Sequence, residues 1–213
     1  MALTWNAVWT NGYEAAGWPQ SYRENNAEII ASFFRSEGWT IDSICAMLGN
    51  MQVESYLNPA QWQHNNPIYM DGTGYGLVQW TSYTKFSNWA GSDWKTNYNK
   101  ELYRIQLELD ADYQGIPLQW GQTGAYPISF YNWSRSTIND YSLDWLTAAF
   151  FYNYERGTAY GMRNQYAADW YQYFQGTPPT PWDPPGPGPG PGPGPGGRYL
   201  PIWLFFKIKE ANK

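Results

Sequence analysis

The sequence predicts a mainly α-helical α+β domain carrying one small β-hairpin, followed by a linker and a short tail. Three observations carry this. Apolar residues recur at helical spacing in several segments before residue 177. Residues 60 to 80 break that rhythm with turn chemistry, Asn65-Asn66-Pro67 and Asp71-Gly72-Thr73-Gly74, around the short run Ile68-Tyr69-Met70. From Thr177 the chain becomes Thr- and Pro-rich, then alternates Pro and Gly strictly from Pro185 to Gly196, with no side chains to pack.

The helices follow in order. From about Asn26 to Glu37, Ile29, Ile30, Phe33 and Phe34 share one face, and Gly38 is a natural stop. Thr40 is a good N-cap for the next helix, with Asp42 in its first turn. Ile41, Ile44, Cys45, Leu48 and Met51 form its buried stripe. Pro59 ends it near Ser55 to Asn58, because the residue before a proline avoids helical geometry. After the turn-rich hairpin, Tyr98, Leu102, Ile105 and Leu109 mark a helix from Tyr98 to Tyr113. Ser142 caps a helix running from Leu143 to Tyr154, and a last one covers Met162 to Phe174. No internal repeat is visible.

This divides the chain into a lead segment (1–20), a folded domain (21–176), a Pro/Gly linker (177–197) and a short apolar-basic tail (198–213). The tail, Arg198 to Lys213, is too short to fold alone. It reads equally as a docking peptide for a partner, a membrane-touching tail, or a strand that packs back on its own domain.

Composition narrows the function. The net charge is -5 and charged residues make up 15% of the chain, which argues against a nucleic-acid partner. No stretch is long and apolar enough for a membrane-spanning helix. The aromatic content is 20%, with 14 Trp and 19 Tyr, more than a core of this size needs. Such rings also stack on the flat C–H faces of sugars while offering a polar handle. The single cysteine, Cys45, rules out an internal disulfide and suits maturation in a reducing cytosol. Residues 1 to 20 carry no secretory signal pattern, so a wall-directed protein would need another route to its target. No cofactor or metal is expected, since one His and one Cys leave too few ligands.

Two motifs stand out, Leu48-Gly-Asn-Met-Gln-Val-Glu54-Ser55 with Asn58-Pro59, and Gly74-Tyr-Gly-Leu-Val-Gln79-Trp80. Glu54 falls at the C-terminal end of a buried helix, at the edge of its apolar stripe. Partial burial and the negative end of the helix dipole both disfavour its charged form. A glycosidase acid needs that property, because it must hold a proton near neutral pH to give to the leaving glycosidic oxygen. Asp71 is the next acidic residue, and its solvated turn would keep it ionised. Glu54 and Asp71 are therefore the candidate pair of acid and stabiliser.

The two motifs resemble the phage tail lysozyme family, related to goose-type lysozymes and lytic transglycosylases. There a helix ends in a catalytic Glu-Ser and is followed by a β-hairpin and a Gly-Leu-x-Gln segment along the groove. Glu54-Ser55 and Gly76-Leu77-Val78-Gln79-Trp80 carry the likeness, with Phe150-Phe151-Tyr152-Asn153-Tyr154-Glu155-Arg156 resembling the family's aromatic-Glu-Arg segment. The resemblance spans roughly residues 20 to 176. It implies a lysozyme-like fold. It also implies cleavage of the β-1,4 bond between N-acetylmuramic acid and N-acetylglucosamine in peptidoglycan. Tyr75, Gln79, Trp80 and Ser55 then become candidate substrate-binding residues, and Trp62 and Trp89 further sugar platforms. The family implies a virion tail protein, made in the host cytoplasm and carried to the wall by the particle. Residues 198–213 would then dock on other tail proteins. Glu155 either approaches Glu54 or forms a structural ion pair with Arg156, the latter being the expectation.

Three rivals stay open. The same bond is also cut by lytic transglycosylases, in which the substrate's own 6-hydroxyl captures the intermediate. A tail-tip module that binds wall without cutting it is a second rival. The third is a cysteine hydrolase using Cys45 and His64, although Cys45 falls mid-stripe on a helix, where a thiol is usually an inert small hydrophobe.

Overall fold

A computed structural model describes residues 3–10, 18–63, 68–109, 119–157 and 159–176. The linker, the tail and His64 lie outside the described residues, as does the end of the helix expected to reach Tyr113. The described residues belong to one compact unit. No helix among them is long and apolar enough to cross a membrane.

Among the described residues there are seven α-helices: α1 (Gln20–Ser36), α2 (Ile41–Ser55), α3 (Thr84–Ala90), α4 (Asn99–Leu107), α5 (Phe130–Arg135), α6 (Leu143–Phe150) and α7 (Arg163–Gly176). A π-helical turn, Phe151–Glu155, continues α6 without a break. The mainly helical architecture is the one the spacing predicts. The expected hairpin is reduced to one antiparallel bridge, Trp62 with Tyr75, among the described residues. Backbone bonds flank it, from Gln63 N to Gly74 O (2.9 Å) and from Gly76 N to Gln61 O (2.9 Å). Between its arms, residues 68–73 are turn-like.

The buried stripe of α2 makes it the central helix. Ile44 through Met51 are all buried, so neighbours cover it on several sides. The Thr40 side chain caps it by accepting from Ser43 N (3.1 Å). Helix α5 closes the same end, where Ser134 O accepts from Thr40 N (3.1 Å) and from Ser43 Oγ (2.9 Å). On the α6 side, Asn50 donates from Nδ2 to Thr147 O (3.1 Å).

Helix α7 lies against α2 at Gly49. A Cβ there would sit 2.5 Å from Arg163 O and 2.7 Å from Ala167 N, so only glycine allows the two backbones this close. Trp170 Nε1 donates to Gln52 Oε1 (2.8 Å) and tightens the same contact. Aromatic rings fill the rest of the core: Trp39, Trp62, Trp80 and Trp133 are all within 1% of full burial. Each such side chain contributes roughly 1.5–3 kcal/mol through removal from water.

The N-terminal segment is bonded into this framework. Asn26 Nδ2 donates to Asn6 O (2.7 Å) and to Leu57 O (2.8 Å). Asn58 Nδ2 donates to Val8 O (2.6 Å), and its Oδ1 accepts from Ala60 N (3.0 Å). A parallel bridge joins Thr10 to Gln61. The arm carrying Gln61 and Trp62 is thereby bridged on both sides, to Thr10 and to Tyr75.

Candidate active site

Glu54 occupies the last turn of α2. The helix stops there because Tyr56 and Leu57 both take left-handed backbone angles, with φ of 54° and 62°. Two non-glycine residues in that region are uncommon, and such conformations persist where the surroundings dictate them. Leu57 is fully buried and its carbonyl is held by Asn26, which is what dictates them here.

The guanidinium of Arg163, the first residue of α7, faces Glu54. Its Nη2 donates to Glu54 Oε1. The same guanidinium meets Glu155 at the end of the π turn: Nε donates to Glu155 Oε2 (3.1 Å), and Nη2 lies 3.1 Å from that oxygen. Nη1 donates to the carbonyls of Ala159 (3.0 Å) and Tyr160 (2.8 Å). The Arg163 Cζ rests 4.5 Å from the centre of the Phe151 ring. Arg163 is thus fixed on every side. Its side chain is 3% exposed and that of Glu155 4%, whereas Glu54 is 24% exposed. Of the three groups, Glu54 is the one that solvent or a ligand reaches.

Burial raises Glu54 above the usual carboxylate range, while the Arg163 charge and hydrogen bonds from Glu155 and Arg163 pull it back. Burial raises Glu155 much further, helped by the Glu54 charge beside it. The expected Glu155–Arg156 ion pair is not formed. Arg156 turns away, in a left-handed conformation, and donates to Gln119 O (2.9 Å).

Ser55 is fully buried, and its hydroxyl donates to Met51 O (3.0 Å) and Leu77 O (3.0 Å). It ties the end of α2 to the Gly76-Leu77 loop. Gln79, with φ of 50°, donates from Nε2 to Gly76 O (2.9 Å) and Gln61 O (3.1 Å), closing the same loop. Tyr75 is buried among Trp62, Phe86 and Trp94. Trp80 is buried and stacks on Phe86 at 4.9 Å. Asp71 lies exposed on its turn, where Oδ1 accepts from Gly72 N (3.0 Å). Trp62 is fully buried, and Trp89 sits half-buried beneath Arg104. The structure therefore brings Ser55, Gln79 and the Gly76-Leu77 backbone together, and gathers Glu54 with two groups that were not expected beside it.

A third buried carboxyl supports the loop from below. Glu101 of α4 accepts from Leu77 N through Oε2 (2.7 Å) and is fully buried. Burial pushes it well above the usual range, and the Leu77 bond opposes that only in part. A Cβ at Gly76 would lie 2.6 Å from Glu101 Oε2, so the glycine is what lets the loop sit on this carboxyl. Sequence reasoning missed both Glu101 and Arg163, although a signal existed. Glu101 falls on the face of α4 shared by Ile105, and Arg163 heads the buried series Ala167, Trp170 and Phe174. A charged residue in an apolar stripe has a partner or a purpose.

Cys45 is fully buried and burial pushes its thiol up, so it offers no thiolate to a substrate.

Comparison with known proteins places the chain in a family. A family model described as phage tail lysozyme matches residues 25–174. A curated relative, morphogenesis protein 1 of Bacillus phage B103, is 38% identical over 133 residues, which is 62% of this chain. The chain spans about a third (33%) of that relative's length.

Proposed function

Since the chain belongs to the phage tail lysozyme family, we propose that it cleaves the β-1,4 bond between N-acetylmuramic acid and N-acetylglucosamine, with Glu54 as the acid. The observation that carries this reading is the exposure pattern of one cluster. Glu54 opens to solvent at the end of α2, while the groups that fix and tune it are buried behind it. Raised by burial, Glu54 keeps a proton to higher pH than an ordinary glutamate, as a glycosidase acid must.

In this reading Glu54 gives its proton to the glycosidic oxygen as the C1–O bond breaks and the electron pair stays on that oxygen. The glycosyl cation is then captured by water, which returns a proton to the Glu54 carboxylate. Asp71, exposed on its turn, is the carboxylate that stabilises the cation. Gln79 and the loop bonded to Ser55 shape the groove wall. The protein acts from the virion tail on the glycan strands of the host wall during DNA entry, and residues 198–213 bind other tail proteins.

Digestion of purified peptidoglycan, with mass spectrometry of the released muropeptides, tests the bond and the reaction. Disaccharide peptides with reducing N-acetylmuramic acid ends are expected. Anhydro ends would make the enzyme a lytic transglycosylase. Intact glycan would leave a wall-binding module in its place.

A further inference from the structure

We propose that Glu155 is a positioning residue that shares one proton with Glu54 across the Arg163 guanidinium, so that the acid and its proton supply form a single buried unit. The inference rests on the reading of Glu54 as the acid.

The cluster has one permanent positive charge, on Arg163, and two carboxyls bonded to it. With both ionised it would carry one uncompensated negative charge. Arg163 and Glu155 are 3% and 4% exposed, and an unpaired charge in such a place is strongly disfavoured. Among the described residues no second cation is paired with it. Arg156, the next residue along, points to Gln119 O instead. The groups that act on the two carboxyls are Glu54 from α2, Glu155 from the π turn and Arg163 from α7. The resting cluster is therefore neutral, with one proton held between two carboxyls.

The hydrogen bonds say where that proton goes. Arg163 serves Glu155 through Oε2 only, and Glu155 Oε1 is buried with no hydrogen-bond partner of ordinary geometry. A proton there turns the orphaned acceptor into a donor. Glu54 and Glu155 converge on one guanidinium nitrogen, Arg163 Nη2, and their proximity favours ionised Glu54 and protonated Glu155.

Catalysis then uses the asymmetry in exposure. Glu54 alone of the two keeps an edge in solvent, at 24%. A glycan laid over that edge removes its water and disfavours the Glu54 carboxylate. The proton passes from the Glu155 hydroxyl to the Glu54 carboxylate. Glu155 becomes the anion paired with Arg163, and the net charge stays zero. Glu54 next gives the proton to the leaving oxygen. At that moment both carboxyls are ionised, and the cluster carries a net negative charge beside the glycosyl cation. When the capturing water returns a proton to Glu54, the neutral cluster is restored.

Two measurements on the full chain test this. The first compares the pH dependence of kcat/KM on peptidoglycan for the wild type and Glu155→Gln, with Glu54→Gln as control. Glutamine keeps the shape and a bond to Arg163 but removes the shared proton and the second charge. Glu54 then faces Arg163 alone and loses its proton at lower pH. The alkaline limb is expected to move down by about one pH unit, with roughly a tenfold loss near neutrality, as one unit corresponds to a factor of ten. A role confined to packing would lower stability or raise KM and leave the limb in place, which would overturn the proposal. If instead Glu54→Gln is as active as the wild type, the acid assignment fails first, and this inference with it.

The second measurement needs no turnover and no variant of Glu155. Carboxyl carbon spectra of glutamate-labelled wild type at neutral pH are compared with those of Glu54→Gln. Signals from the other buried glutamates, Glu101 and Glu108, serve as references, because neither residue is bonded to the Glu54 cluster. A further protonated signal that shifts in Glu54→Gln is expected from the shared pair. Two fully ionised carboxylates at this site would contradict the proposal.

Discussion

Gly49 of α2 and Arg163 of α7 meet at a point where no side chain fits: a Cβ on Gly49 would lie 2.5 Å from the Arg163 carbonyl oxygen. The close approach decides where Arg163 starts its helix, and so where its guanidinium meets Glu54. A feature of backbone packing thus sets the electrostatics of the candidate acid.

Gly49→Ala is expected to push α7 away from α2. Overpacking of this kind destabilises by about 1–3 kcal/mol. Because the shift moves Arg163, activity should fall more than the loss of folded protein explains. Urea unfolding paired with turnover at a temperature where the variant remains folded checks both parts. An alanine variant of wild-type stability would mean the helices are not locked at this point.

Gly76→Ala strikes the loop that Glu101 supports. The residue has φ of 82°, which alanine adopts poorly, and its Cβ would meet Glu101 Oε2 at 2.6 Å. A loss of about 1–3 kcal/mol is expected, from backbone strain together with the broken Leu77–Glu101 bond. Amide exchange at Leu77 should accelerate sharply in the variant, and unchanged protection there would count against the support role.

Glu101 also gives a pH dependence with a definite sign. Its carboxyl is raised well above the ordinary value of 4.5. The unfolded chain releases this proton near 4.5, while the folded chain keeps it to higher pH. From there upwards the unfolded state binds fewer protons, so stability contributed at this site falls as pH rises. Glu101→Gln removes that fall, since a neutral amide can still accept from Leu77 N. The variant should lose less stability than the wild type between pH 4.5 and neutrality. Thermal melts across that range measure it, and parallel curves would mean that Glu101 is ionised in the fold.

Cys45→Ala is expected to leave wall cleavage within about twofold of wild type, at a cost of about 1 kcal/mol for the small cavity. The native thiol should resist alkylation and react once the chain is unfolded in urea. A folded alanine variant without activity would revive the cysteine-hydrolase reading.

Much of the scaffold was legible in the residues. Thr40 and Ser142 announce the helices they cap, and both accept the expected backbone N–H. The helices that were not foreseen, α3 and α5, have seven and six residues, too few for a period to show. The hairpin reading found the turn at Asp71-Gly72, but among the described residues its arms pair through a single bridge. At the site, Glu54 stood out because a helix end and a following turn segment bracket it. Arg163 did not, because it lies far along the chain and contacts Glu54 only when α7 folds back on Gly49. The same folding draws Glu155 to Arg163 in place of its neighbour Arg156. Adjacent charges suggested a local pair, and a long-range contact prevailed.

The central claim is the role of Glu54, and the most direct test is the turnover of Glu54→Gln on purified peptidoglycan beside the wild type. Thermal unfolding of both proteins ensures that folded material is compared. The account predicts a variant that folds and loses about a thousandfold in rate, within the range that general acid catalysis contributes. A folded Glu54→Gln that cleaves glycan at the wild-type rate would contradict it.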